Sequence, residues 1–180
     1  SILISERVVR EIQPRPPGEP LLEYFQPALP NNERQFFSDG RNKGLNYDYM
    51  PFIQSPCYYN GNLTCTGCHS AHGAGHPIDL LMPEENLDRV CAPCHPDIDA
   101  DVYKHTRHDP RKPGNLCVDC HLPYVDILGR RIQSRDHSLS VPVPGNTKYF
   151  GIPNACNDCH RDKDPDWSAR DLQEWDQTDQ

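Results

Sequence analysis

Four pentapeptides of one form punctuate the chain: Cys65-Thr66-Gly67-Cys68-His69, Cys91-Ala92-Pro93-Cys94-His95, Cys117-Val118-Asp119-Cys120-His121 and Cys156-Asn157-Asp158-Cys159-His160. No other feature restricts the fold so strongly. C-x-x-C-H is the attachment signature of c-type haem: two thiols three positions apart each form a thioether to one porphyrin. The histidine that follows then sits beneath the iron as its proximal ligand. The motifs use eight of the nine cysteines. Paired C-x-x-C motifs also build tetrahedral zinc sites, and single ones serve as thiol–disulfide redox centres. Neither chemistry calls for a histidine after every second cysteine, and all four motifs have one. The reading is four covalently bound haem c groups.

The histidine count extends this reading. Of nine histidines, His69, His95, His121 and His160 are proximal, which leaves His72, His76, His105, His108 and His137 for four distal positions. We expect His72, His105, His108 and His137 to be distal ligands, with His76 as spare or as substitute for His72. The spacing of three between His105 and His108 predicts two imidazoles near one face of a helix, able to reach adjacent irons. The methionines are Met50 and Met82, and bis-histidine ligation is the simpler account. It gives a saturated, low-potential iron that carries electrons and has no open site for substrate. No catalytic residue is expected. A nitrite or hydroxylamine redox enzyme would need one iron with an open position.

Composition makes sense only with these cofactors. The chain is 36% hydrophobic with 19 prolines, and its mean hydropathy is −0.79. Such a polypeptide is poor in material for a core. Porphyrin faces supply what the side chains lack, so the expected fold is mostly irregular coil with short α-helices wrapped around four haems, and little β-structure. The formal charge of −8 argues against nucleic acid and anionic lipid as partners and permits basic redox proteins. No stretch has the length of a transmembrane span. Thioether attachment takes place outside the cytoplasmic membrane, so an extracellular or periplasmic location is expected, with any signal peptide removed. Asn62-Leu63-Thr64 is a glycosylation sequon compatible with export.

Two regions are expected. Residues 1–56 form a proline-rich N-terminal arm. Within it, Ile2–Ile12 reads as a strand or a helical turn, and Pro14–Pro20 as extended chain. Apolar anchors such as Tyr24, Phe36, Phe37 and Phe52 suit the arm to lie on a surface, this subunit's own or a neighbour's. Residues 57–180 form the tetrahaem domain. Cys57, the odd cysteine, reads as an intermolecular disulfide or a buried thiol. Pro83–Val90 and Asp97–Thr106 read as helices. Residues 122–136 read as a hairpin or loop bent at Gly129. Asp166–Trp175 reads as a C-terminal helix with Asp164 as cap, Pro165 in its first position, and Trp167, Leu172 and Trp175 against the last haem.

The run His105…His108, Cys117-Val118-Asp119-Cys120-His121-Leu122-Pro123, Arg135-Asp136-His137-Ser138 and Pro153-Asn154-Ala155-Cys156-Asn157-Asp158-Cys159-His160 resembles multihaem c-type cytochromes. It is similar to the tetrahaem branch that includes the electron carrier of hydroxylamine oxidation. Extracellular filament (nanowire) cytochromes have similar spacing. The resemblance spans residues 57–176. It implies closely packed haems in alternating stacked and T-shaped pairs, with electrons hopping between irons. The expected role is electron transfer as a subunit of a head-to-tail extracellular filament, partnered by other copies and by redox proteins or extracellular acceptors. The alternative is a monomeric periplasmic shuttle.

Overall fold

The structure, a computed structural model, describes residues 18–24, 29–43, 48–70, 87–127 and 132–178. The expectations for Ile2–Ile12, Pro14–Pro17, His72, His76, Met82 and Gly129 lie outside these residues. Nine short helices are described: α1 (Leu21–Tyr24), α2 (Tyr49–Ile53), α3 (Pro56–Gly61), α4 (Pro96–Ala100), α5 (Val102–Thr106), α6 (Cys117–His121), α7 (Pro144–Phe150), α8 (Ala155–Cys159) and α9 (Pro165–Thr178). Two 3-10 turns, Cys65–Gly67 and Leu87–Val90, accompany them. Strands β1 (Tyr124–Ile127) and β2 (Ile132–Arg135) pair antiparallel, with Tyr124 opposite Arg135. The rest is coil, as the composition requires.

Sequence explains why the helices are short. Proline opens α3, α4, α7 and α9, where its fixed φ and missing N–H cost nothing. Side-chain caps sit just before several of them. Ser55 Oγ accepts from Tyr58 N at 3.2 Å, Asn154 Oδ1 from Asn157 N at 3.2 Å, and Asp164 Oδ1 from Trp167 N at 2.7 Å. Left-handed residues stop the chain: Asn62 (φ 50°) after α3, Arg107 (φ 56°) after α5 and Gly151 (φ 66°) after α7. The expected helix over Asp97–Thr106 is broken at Asp101, whose backbone leaves helical space (φ −149°, ψ 76°). Its side chain instead caps α5, accepting from Lys104 N at 3.0 Å. An aspartate competing for backbone donors splits one helix into two. Of the expected helix over Pro83–Val90, the described part is the 3-10 turn Leu87–Val90.

Little apolar material is buried. Phe36, Met50, Val118, Val125, Ile152 and Ala155 are buried, and so are Asn42, Ser55, Asp88, Thr106, Asp136, Ser138, Asn154 and Ser168. Polar side chains hold the elements in register by bonding across them. Asn154 and Ser168 both donate to Asn157 Oδ1, at 2.9 and 3.1 Å, and Asn157 donates to Lys163 O at 2.9 Å. This joins α8, the following turn and α9. Arg41 ties the N-terminal region to the motif-bearing part of the chain. It donates to Pro153 O at 2.7 Å, and its guanidinium lies 3.4 Å from Asp136. Asp136 is fully buried and also accepts from Ser138 N at 2.9 Å.

Arg41 keeps Asp39 at 2.9 Å, so losing Asp136 would chiefly leave the buried Ser138 N–H without its acceptor. Asp136→Ala is therefore expected to lower the stability of the holoprotein by about 1–3 kcal/mol, read from its guanidinium unfolding midpoint. Glu19→Ala, on the exposed surface, is expected to change it by less than about 0.5 kcal/mol.

Candidate haem-binding centre

Each C-x-x-C-H motif folds as a single helical turn. The histidine N–H donates back to the first cysteine's carbonyl: His69 to Cys65 at 2.9 Å, His95 to Cys91 at 3.1 Å and His160 to Cys156 at 2.8 Å. The third motif is the helix α6 itself. This turn puts cysteines i and i+3 on one side and the imidazole one turn onward.

Residues far away in sequence hold the third motif. Asp88 Oδ2 accepts from Cys117 N at 2.9 Å and its Oδ1 from Val118 N at 3.4 Å, capping α6 from the turn that leads into the second motif. At the other end, Arg135 donates to Val118 O at 2.9 Å and Leu122 O at 3.0 Å. A carboxylate at the N-terminus and a guanidinium at the C-terminus both complement the helix dipole. The Arg135 guanidinium also lies 4.0 Å from the centre of the Tyr124 ring across the hairpin. The neighbouring Cys91 thiol pushes the Cys117 thiol up, with burial adding to the effect. Burial also pushes Cys120 up to about 11 and raises the half-buried Cys57. Cys57 lies in α3, within the field of Cys91 and Cys94.

Histidines converge in pairs. His69 faces His137 with ring centres 6.2 Å apart, His105 faces His121 at 6.1 Å, and His108 faces His160 at 6.1 Å. The rings are 28°, 17° and 46° from parallel, in that order, at the wide end of the range for aromatic contacts. Two imidazole nitrogens on one metal ion, each bond roughly 2 Å long, place the ring centres roughly 6 Å apart. Each pair joins one C-x-x-C-H histidine with one from elsewhere in the chain, beside two thiols. The residues therefore fit a c-type haem. Ring orientation supports this as well. The Nδ1 of His121 bonds Ser140 O at 3.0 Å, that of His137 bonds Arg135 O at 3.0 Å, and that of His108 bonds Thr106 O. A carbonyl only accepts, so Nδ1 carries the proton in each ring and Nε2 keeps its lone pair for a metal. Burial holds His121 below the ordinary imidazole range. The contact with Asp48 holds His137 above it. Burial alone would raise Asp48, but its contact with His137 outweighs that and keeps the carboxyl below its usual range.

His105 and His108 do reach separate partners, though not from one helical face as the spacing predicts. The helix ends at Thr106, and left-handed Arg107 turns His108 away. His108 then settles against Gly114, where φ is +95° and an added Cβ would lie 2.8 Å from the imidazole. Trp167 stands 4.9 Å from His160 and Trp175 6.2 Å from His108, so the C-terminal helix brings two aromatic rings to this pair. Among the described histidines, no ring faces His95.

Residues 59–100, which include the first two motifs, match the doubled CXXCH motif family. The chain is 27% identical over 104 residues to the multiheme cytochrome MtrA of Shewanella baltica (strain OS185), an alignment covering 58% of this chain and 26% of MtrA. Its fold is similar to that of the outer cell wall cytochrome OcwA, with a TM-score of 0.57 at 17% identity, over 83% of this chain and 42% of OcwA. The chain thus spans well under half the length of either protein.

Gly114→Ala is expected to cost about 1–3 kcal/mol through its positive φ. The same change should press on His108, so a high-spin fraction should appear in the absorption spectrum of the holoprotein, whereas Gly61→Ala, in open space, should leave the spectrum unchanged. The repeated attachment turns and the doubled motif fit covalently attached c-type haem, and the chain is similar in sequence to a multiheme cytochrome and in fold to an outer cell wall cytochrome.

Proposed function

We propose that the chain carries electrons through four closely spaced bis-histidine haems. The observation that carries this reading is the set of three facing imidazole pairs at 6.1–6.2 Å. Cys65 and Cys68, Cys91 and Cys94, Cys117 and Cys120, and Cys156 and Cys159 hold the porphyrins. His69, His95, His121 and His160 are the proximal ligands. The distal ligands are His137 opposite His69, His105 opposite His121 and His108 opposite His160. His95 then takes His72, with His76 as its substitute, because these are the histidines left over. The bound haem supplies one-electron exchange between ferric and ferrous iron. The chain's own residues fix both axial positions, which leaves no site for substrate and makes the protein a carrier and not an enzyme.

The order of the centres follows the order of the motifs. Contact between Cys91 and Cys117 brings the second and third attachment sites together. Only Thr106 and Arg107 separate His105 from His108, which links the third centre to the fourth. The Asp88 clamp and the polar network around Asn157 hold these spacings, on which the hopping rate depends.

Covalent haem attachment places the protein outside the cytoplasmic membrane, in the periplasm or beyond the cell. Among the described residues no helix is long and apolar enough to cross a membrane. We propose a head-to-tail filament of copies, supported by the exposed aromatic pair Tyr149 and Phe150 at the end of α7, a surface suited to a neighbour. The monomeric shuttle is the second reading. It is favoured by Arg41, which fastens the arm to this subunit's own Pro153. Negative-stain imaging and size-exclusion chromatography separate the two: filaments support the first, and a monodisperse 20 kDa-class particle supports the second.

Mass spectrometry and the pyridine haemochrome assay should count four haems per chain. The resting ferric protein should be entirely low-spin. His105→Ala, His108→Ala and His137→Ala should each convert about a quarter of the haem to high-spin, on one centre in four. A high-spin centre in the unaltered protein would instead favour an open catalytic site.

A further inference from the structure

The three imidazole pairs differ in what backs them. His121 and His108 give their Nδ1 proton to neutral backbone carbonyls, Ser140 O and Thr106 O. His137 gives its proton to Arg135 O as well, but a carboxylate stands beside that bond: Asp48 Oδ1 lies 3.4 Å from His137 Nδ1. That oxygen is shielded from water and has no hydrogen bond of good geometry. Asp48 comes from the N-terminal region, directly before α2, yet its side chain does not cap that helix. Its carboxylate faces the His137 ring and the Asn42 side chain among the described residues. The next residue to His137, Asp136, is also anionic and adds to the field at that ring, but it shares the Arg41 guanidinium with Asp39.

We propose, on the axial pairing argued above, that Asp48 is a positioning residue that sets the reduction potential of the His69–His137 centre below those of its neighbours. A charge beside Nδ1 strengthens donation from the opposite ring nitrogen. It also favours the more positive of two oxidation states by Coulomb attraction, and does so more strongly in a shielded position. With a haem bound, the Asp48 charge would oppose uptake of an electron at the His69–His137 pair and favour its release, making that centre a readier donor than the two whose imidazoles are backed by neutral carbonyls alone.

The test is Asp48→Asn in the complete holoprotein, which keeps shape and removes charge. Mediated redox titration followed at the haem α-band resolves the four transitions. The expected result is that one transition becomes about tenfold easier to reduce, about 59 mV for one electron, while the others hold. The ferric EPR signal of one low-spin centre should change with it, and Asp48→Glu should restore most of the original value. If no transition moves, or all four move together, the assignment to Asp48 is wrong. His137→Ala separates this from the ligation reading. If that variant keeps every haem low-spin, His137 is no ligand, whatever Asp48 does. If it produces one high-spin centre whose transition is the one that Asp48→Asn shifts, both readings stand.

Discussion

Three imidazole pairs, held at a spacing that one metal ion would bridge, are the constraint around which the described residues are arranged. Ring contacts at this distance contribute little by themselves. They occur in a polypeptide with few buried apolar side chains. A large apolar group between the rings, as proposed above, would supply what the side chains lack. The protein is organised as a jacket around that contribution, with short capped helices in place of a side-chain core.

The jacket is assembled from polar fasteners. Asp88 and Arg135 grip opposite ends of the Cys117–His121 helix, Asn157 gathers its neighbours around the fourth motif, and Arg41 closes the N-terminal region over Pro153. Each fastener is specific in direction, unlike an apolar contact, and each fixes the position of a motif turn. That suits a role in which spacing between carriers determines rate. It also explains how a chain of such low hydropathy holds a defined shape.

What sequence made legible follows from whether the information is local. The attachment turns, the hairpin at Tyr124–Arg135 and the C-terminal helix with its Asp164 cap are written in consecutive residues, and they stand where the pattern puts them. His105, His108 and His137 could be nominated as ligands by counting histidines against irons. Their partners could not be named, because the pairing brings together residues such as His69 and His137 from opposite ends of the haem region. Asp48 and Asp88 carried no signal at all, and Arg135 entered only as part of the run around His137. Acidic and basic residues are abundant in this chain, and only the three-dimensional path shows which of them backs an imidazole or caps a distant turn. Gly114 had a signal, since Lys112-Pro113-Gly114 reads as a turn, but the ring that makes the missing side chain necessary lies outside the turn. Asp101 cut a helix that periodicity ran straight through, because local competition for backbone donors outweighed the pattern.

The single left-handed residue between His105 and His108 has a mechanical consequence. With Thr106 buried on one side and Gly114 against the His108 ring on the other, the turn at Arg107 is packed from both directions. If both imidazoles hold irons, as proposed, so short a leash would bound the distance between those two centres whatever the outer loops do.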